Sequence, residues 1–133
     1  MSFNENEFSE DGAVTSHVID LNDENFNPFV RGSRYAAVIF WSGSCMPCRM
    51  MLLVFDELSK VRRDVSFGRV NVGTSSVAGS MGVLSVPTVL LFRKGKRVAR
   101  IVGVKPLRLL EEIVSNHLSE DPKPDIYSES GGD

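Results

Sequence analysis

The two cysteines of this 133-residue chain, Cys45 and Cys48, stand two residues apart as Cys-Met-Pro-Cys within residues 40–50, FWSGSCMPCRM. An apolar run, residues 35–41, leads in, and a stretch with helical periodicity leads out. The pattern predicts a strand, a tight loop and a helix, with both thiols where loop becomes helix. Unsatisfied N–H groups and the positive end of the macrodipole favour thiolate over thiol there. The thiolate is the form that attacks disulfides. Thiols at this separation can also close into a small disulfide ring, so a dithiol/disulfide redox centre is expected. A structural or metal-binding pair is the alternative. A zinc site takes about four ligands, and His17 and His117 are far away in sequence and in different expected elements. No metal site is expected.

With Phe40-Trp41 before the pair, Arg49-Met50 after it, Val86-Pro87-Thr88 downstream and Gly95 and Gly103 beyond, the chain resembles the thioredoxin family over about residues 18–118. The resemblance implies the thioredoxin fold and protein-disulfide reduction. Cys45, the N-terminal and exposed member of the pair, is expected to attack; Cys48, shielded within the helix, is expected to resolve the mixed disulfide. Pro47 restrains the ring by fixing its own φ and removing a donor, and in this family a proline there favours the reducing direction. The resemblance also implies a cis Val86-Pro87 bond facing the cysteines, with Val86 offering its backbone to an extended substrate. Trp41 is expected to pack beneath the loop, and a plain core role is compatible with that. Met46, inside the ring, is expected to be exposed and to touch substrate, whereas Met50 and Met51 read as core. Electrons are expected from a reductase such as NADPH-dependent thioredoxin reductase. With no phosphate-cradling glycine-rich loop in the sequence, no bound cofactor is expected.

Two positions depart from the family pattern. Ile39 stands where the family carries a buried Asp, the proposed proton acceptor for the resolving cysteine. Arg69 aligns with that Asp's lysine partner. Without an acid neighbour, a charged Arg69 near Cys48 would lower that thiol's pKa; the alternative is that it faces solvent or pairs with an unplaced acid. Ser44 replaces a second Trp of the docking surface, which makes the platform smaller and more polar, and it is a candidate helix N-cap.

The elements that must position these residues follow from periodicity. Residues 17–21 read as a short edge strand. Asn22 or Asp23 can cap a helix with Phe26, Phe29 and Val30 on one face, ended by Gly32. The continuous apolar run 35–41 reads as a central strand buried on both faces. Met51, Val54, Phe55, Leu58 and Val61 mark the buried side of the helix after the cysteines. A strand over 65–72, a short helix with Val77, Ala78 and Met81, a hairpin turning at residues 93–96, and a last helix opened by Pro106 complete the order β-α-β-α-β-α-β-β-α. An α/β single domain follows, a mixed central sheet flanked by helices. Residues 1–16 read as a flexible N-terminal extension, 17–118 as the thioredoxin-like domain, and 119–133 as a disordered acidic tail.

Hydrophobic content of 42% and charged content of 24% suit one globular domain with a proper core. A formal net charge of −2 offers nothing to nucleic acid. The acidic N-terminus lacks an apolar signal region and no apolar run could span a bilayer, so a cytoplasmic monomer acting on disulfide-containing proteins is expected. A thiol oxidase or isomerase, or a redox-regulated binding module with weak reductase activity, stays open as the alternative.

Overall fold

The computed structural model describes residues 17–122 and 129–130. In chain order the elements are β1 (Val18–Leu21), α1 (Phe26–Arg31), β2 (Tyr35–Trp41), α2 (Met46–Val61), β3 (Ser66–Asn71), α3 (Val77–Ser80), β4 (Thr88–Arg93), β5 (Lys96–Val102), α4 (Leu107–His117) and β6 (Glu129–Ser130). The sheet runs β1-β3-β2-β4-β5-β6. β3 lies parallel to β1 and β2, and the other pairings are antiparallel. This is the mixed sheet of the thioredoxin fold.

β2 sits at the centre, and its first six residues, from Tyr35 to Phe40, are all buried. Because side chains alternate across a strand, Tyr35, Ala37 and Ile39 enter one core and Ala36, Val38 and Phe40 the other. The first core is closed by Met51, Phe55 and Leu58 of α2 and by Leu110, Ile113 and Val114 of α4. The Phe55 and Phe67 rings meet edge to face there, 5.1 Å apart. The second is closed by Phe26 and Val30 of α1 and Val77 and Ala78 of α3. Two cores back to back bury β2 on both faces, and the loop that carries the cysteines leaves its C-terminal end.

Several sequence expectations need correction. Val61 is exposed, because at about 100° per residue it lies some 80° off the Met51 stripe. Met50 is 60% exposed, and only Met51 enters the core. The α1 N-cap is Asn25, which makes no side-chain cap bond; Asn22 Oδ1 instead accepts from the N–H groups of Glu24 and Asn25 just before the helix. Asp23 serves another helix: its carboxylate accepts from Ser75 Oγ at 2.6 Å and from the Ser76 N–H at 2.9 Å, at the start of α3. Those hydrogen bonds, Ser75's first, lower the Asp23 pKa.

Lys94 (φ 53°) and Gly95 (φ 82°) form the tight turn between β4 and β5, both in the left-handed region that two-residue hairpins need. Arg62, which ends α2, donates to both oxygens of Asp64, to Ser115 Oγ and to the Leu118 carbonyl, tying the end of α2 to the end of α4. The expected extension, residues 1–16, lies outside the described residues, as do 123–128 and 131–133 of the expected tail. Within that tail, Glu129–Ser130 pair antiparallel with Ala99 and Arg100 of β5. Among the described residues, no helix is long and apolar enough to cross a membrane.

Candidate active site

β2 delivers Trp41 to the edge of the cores, and five residues later α2 begins. Ser44 is not its cap. Cys45 has extended backbone (φ −98°, ψ 109°) and is itself the N-cap, its Sγ accepting the Cys48 N–H at 3.1 Å. Pro47, in the first turn, has no N–H, so the Cys48 amide is the donor the sequence leaves for that sulfur. The loop before it is held by its own side chains: Ser42 and Ser44 share a hydroxyl hydrogen bond, and the Cys45 N–H donates to the Ser42 carbonyl.

Cys45 and Cys48 are joined as a disulfide with Cα atoms 5.2 Å apart. Their exposures differ. Cys48 is fully buried, whereas Cys45 is part-buried at the surface. When the pair is reduced, an amide donor and the start of a 16-residue helix face the Cys45 sulfur, and both favour its thiolate.

A second segment faces the pair. The Val86-Pro87 bond is cis, and the Val86 carbonyl oxygen lies 3.8 Å from Cys45 Sγ. A third segment, of which the sequence reading named Gly103 but gave it no place at the site, closes the group. Gly103, at φ 89°, donates its N–H to the Pro87 carbonyl at 2.9 Å, and the Lys105 N–H lies 3.5 Å from Met51 Sδ of α2. The signal for it was Gly103, placed just after a strand where the chain must turn through a left-handed conformation. Cys45, Met46, Pro47, Cys48, Val86 and Pro87 are thus brought together. Met46 is 68% exposed beside the cysteines. Trp41 flanks the group: its carbonyl accepts the Val72 N–H, and its half-buried indole leaves Nε1 without a partner among the described residues.

Arg69 follows the alternative reading, pairing with an acid the sequence did not place. It stands beside Ile39 in the β2–β3 register and beside Asp20 in the β1–β3 register. Its Nε donates to Asp20 Oδ1 at 2.5 Å, so its charge is paired at the sheet edge. Ile39 is fully buried, and the only buried polar side chains among the described residues are Ser59 and Thr88. No carboxylate in the described core stands ready to take a proton from Cys48. Among the described residues no group of three or more His, Cys, Asp or Glu could hold a metal ion.

A sequence model described as Thioredoxin matches residues 17–116, well over half of the chain. The chain belongs to the thioredoxin family. It is 34% identical over 93 residues to thioredoxin of Alicyclobacillus acidocaldarius subsp. acidocaldarius, covering 68% of this chain and 89% of that one. It is 34% identical over 98 residues to thioredoxin of Chlamydia pneumoniae, covering 73% and 95%. The fold is similar to the crystal structure of Malassezia sympodialis thioredoxin, with a TM-score of 0.70 at 26% identity over 78% of this chain and 93% of that one. As in other members of the family, the cysteine pair makes the chain a protein-disulfide oxidoreductase.

Proposed function

We propose that this chain reduces disulfides in other proteins through Cys45 and Cys48. The observation that carries the reading is the asymmetry of the pair: a part-buried Cys45 at the N-cap of α2, beside the Val86 carbonyl, backed by a fully buried Cys48. In the reduced protein the Cys45 thiolate attacks one sulfur of a substrate disulfide, and the other leaves as a thiolate. Cys48 then gives up its proton and attacks Cys45 Sγ. The Cys45–Cys48 bond forms, the mixed disulfide breaks, and the second substrate sulfur leaves as a thiolate. Substrate gains two electrons and, once its thiolates protonate, two protons; the pair loses the same. A dithiol donor, in this family thioredoxin reductase drawing on NADPH, returns the pair to the reduced state. Val86 offers its backbone to an extended segment of the substrate, and Met46 offers an exposed, adaptable apolar contact. A reducing compartment such as the cytoplasm is needed for that cycle, and the chain acts as a monomer.

A reductase needs a potential near the thioredoxin value of about −270 mV; an oxidase or isomerase sits higher, toward about −120 mV. Ile39 and Ser44 favour a second reading, a binding module with a regulatory ring, because both remove groups that the family uses in catalysis or docking. Turnover of insulin disulfides with dithiothreitol as electron source separates them. Catalysed reduction that disappears in Cys45→Ser is expected. If the pair forms its disulfide normally yet no reduction exceeds the dithiothreitol background, the binding-module reading replaces the reductase.

A further inference from the structure

Three segments converge on the cysteines: the 42–50 loop and helix start, the 82–87 loop, and the 103–108 loop. Together they carry Arg49, Lys105 and Arg108 and not one carboxylate, although the whole chain has 17 acidic and 15 basic residues. The convergence is fixed by the Cys45–Val86, Gly103–Pro87 and Lys105–Met51 contacts already described. Arg49 and Arg108 are exposed, and Lys105 is half-exposed. None of the three has an ion-pair partner among the described residues. Lys105 Nζ donates to the Val102 carbonyl, which fixes its position and leaves its charge uncompensated.

Many of the carboxylates elsewhere are already engaged. Asp20 pairs with Arg69, Asp56 and Glu57 with Lys60, Asp64 with Arg62, and Glu120 with Arg34. On α2, Asp56 lies seven residues beyond Arg49, about 10 Å along the axis. Glu111 and Glu112 follow Arg108 by one turn of α4, away from the cysteines, without closing an ion pair to it. The N-termini of α2 and α4 both open on this face and add positive potential. The same segments also expose apolar side chains, Met46 at 68%, Met50 at 60%, Leu84 at 94% and Val104 at 42%, beside the exposed hydroxyls of Ser44 and Ser85.

We propose that the rim of Arg49, Lys105 and Arg108 beside Cys45 selects substrates whose disulfide is flanked by acidic residues. This rests on the reductase reading and adds its substrate class. Like-signed fields repel a basic partner, while an acidic one is steered in and oriented before the sulfurs meet.

The test is single-turnover reduction, by the pre-reduced full-length chain, of three small disulfide-closed peptides that differ only in flanking residues: acidic, uncharged or basic. At low ionic strength the acidic peptide is expected to react about tenfold faster than the basic one. The difference is expected to collapse near 1 M salt, where screening acts over about 3 Å. The triple variant Arg49→Gln, Lys105→Gln, Arg108→Gln is expected to lose the preference. The salt series on the unaltered chain reads the same effect without any substitution. Equal rates for acidic and basic peptides, with the uncharged peptide still reduced, overturn the proposal and leave the reductase reading intact. If the reduced chain leaves all three peptides oxidised, both fall together.

Discussion

Ile39 stands, fully buried, where the family resemblance leads one to expect an acid. On the proposed reductase reading, a carboxylate at that position would take the proton from Cys48; an isoleucine cannot, which leaves water or the departing substrate thiolate as the acceptor. Ile39→Asp is therefore expected to speed release of product from the mixed disulfide, on the order of 10²-fold if the acid acts as a general base. The same change buries a polar group where Ile39 is fully enclosed, and is expected to cost about 2–5 kcal/mol of stability. Rapid-quench trapping of the mixed disulfide measures the first effect and urea unfolding the second. A resolving step no faster than in the parent would show that the proton leaves by a route independent of position 39. Arg69 is the counterexample among single residues. It aligns with a catalytic neighbour, yet its guanidinium is committed to Asp20, a pairing that only the strand register reveals.

At the scale of elements, α2 carries both the chemistry and a brace. Its N-terminus faces Cys45, and its C-terminal end is fixed to α4 through Arg62. Asp64 is held below the usual carboxylate range, first by the hydrogen bond from Arg62, with partial burial opposing. A depressed folded-state pKa means the unfolded chain binds more protons as the solution is acidified. The contribution is complete above the ordinary carboxylate range and fades as pH falls through the depressed value. Arg62→Met is expected to cost about 1 kcal/mol near neutrality, a modest figure because Asp64 is half-exposed. That loss is expected to shrink in acid. Urea midpoints for parent and variant across the pH range test it, and a gap that widens on acidification contradicts the assignment. α3 shows the same economy, since its start is held by Asp23 from a loop more than fifty residues away.

Across the whole molecule, one sheet separates two cores, and the site sits where the central strand leaves both. The support is cooperative. Phe55 packs under α2 against Phe67, and Phe26 packs on the opposite face against Phe40 and Phe92. Phe55→Ala and Phe26→Ala are each expected to remove about 3–5 kcal/mol, a large share of the stability typical of such a domain. Each is expected to lower a single transition seen alike by fluorescence and circular dichroism. Separate transitions for the two faces would show that the cores fold as independent units.

The order of elements, the two-faced burial of β2, the helix after the cysteines and the pair's redox chemistry were legible in the chain, because each is a local property. Apolar periodicity reports which way neighbouring side chains face within a turn or a strand, and a Cys-Met-Pro-Cys run at a strand–helix junction carries its chemistry with it. The partners of Arg69 and Asp23, the exposure of Met50, the cap role of Cys45 itself and the Gly103–Lys105 segment were not legible. Each depends on which strands lie side by side and in what register, so it joins residues tens of positions apart that no local pattern connects. The acid-free cationic rim belongs to the same class. Arg49 stands more than fifty residues before Lys105 and Arg108 and joins them in one surface only when the two segments meet beside Cys45.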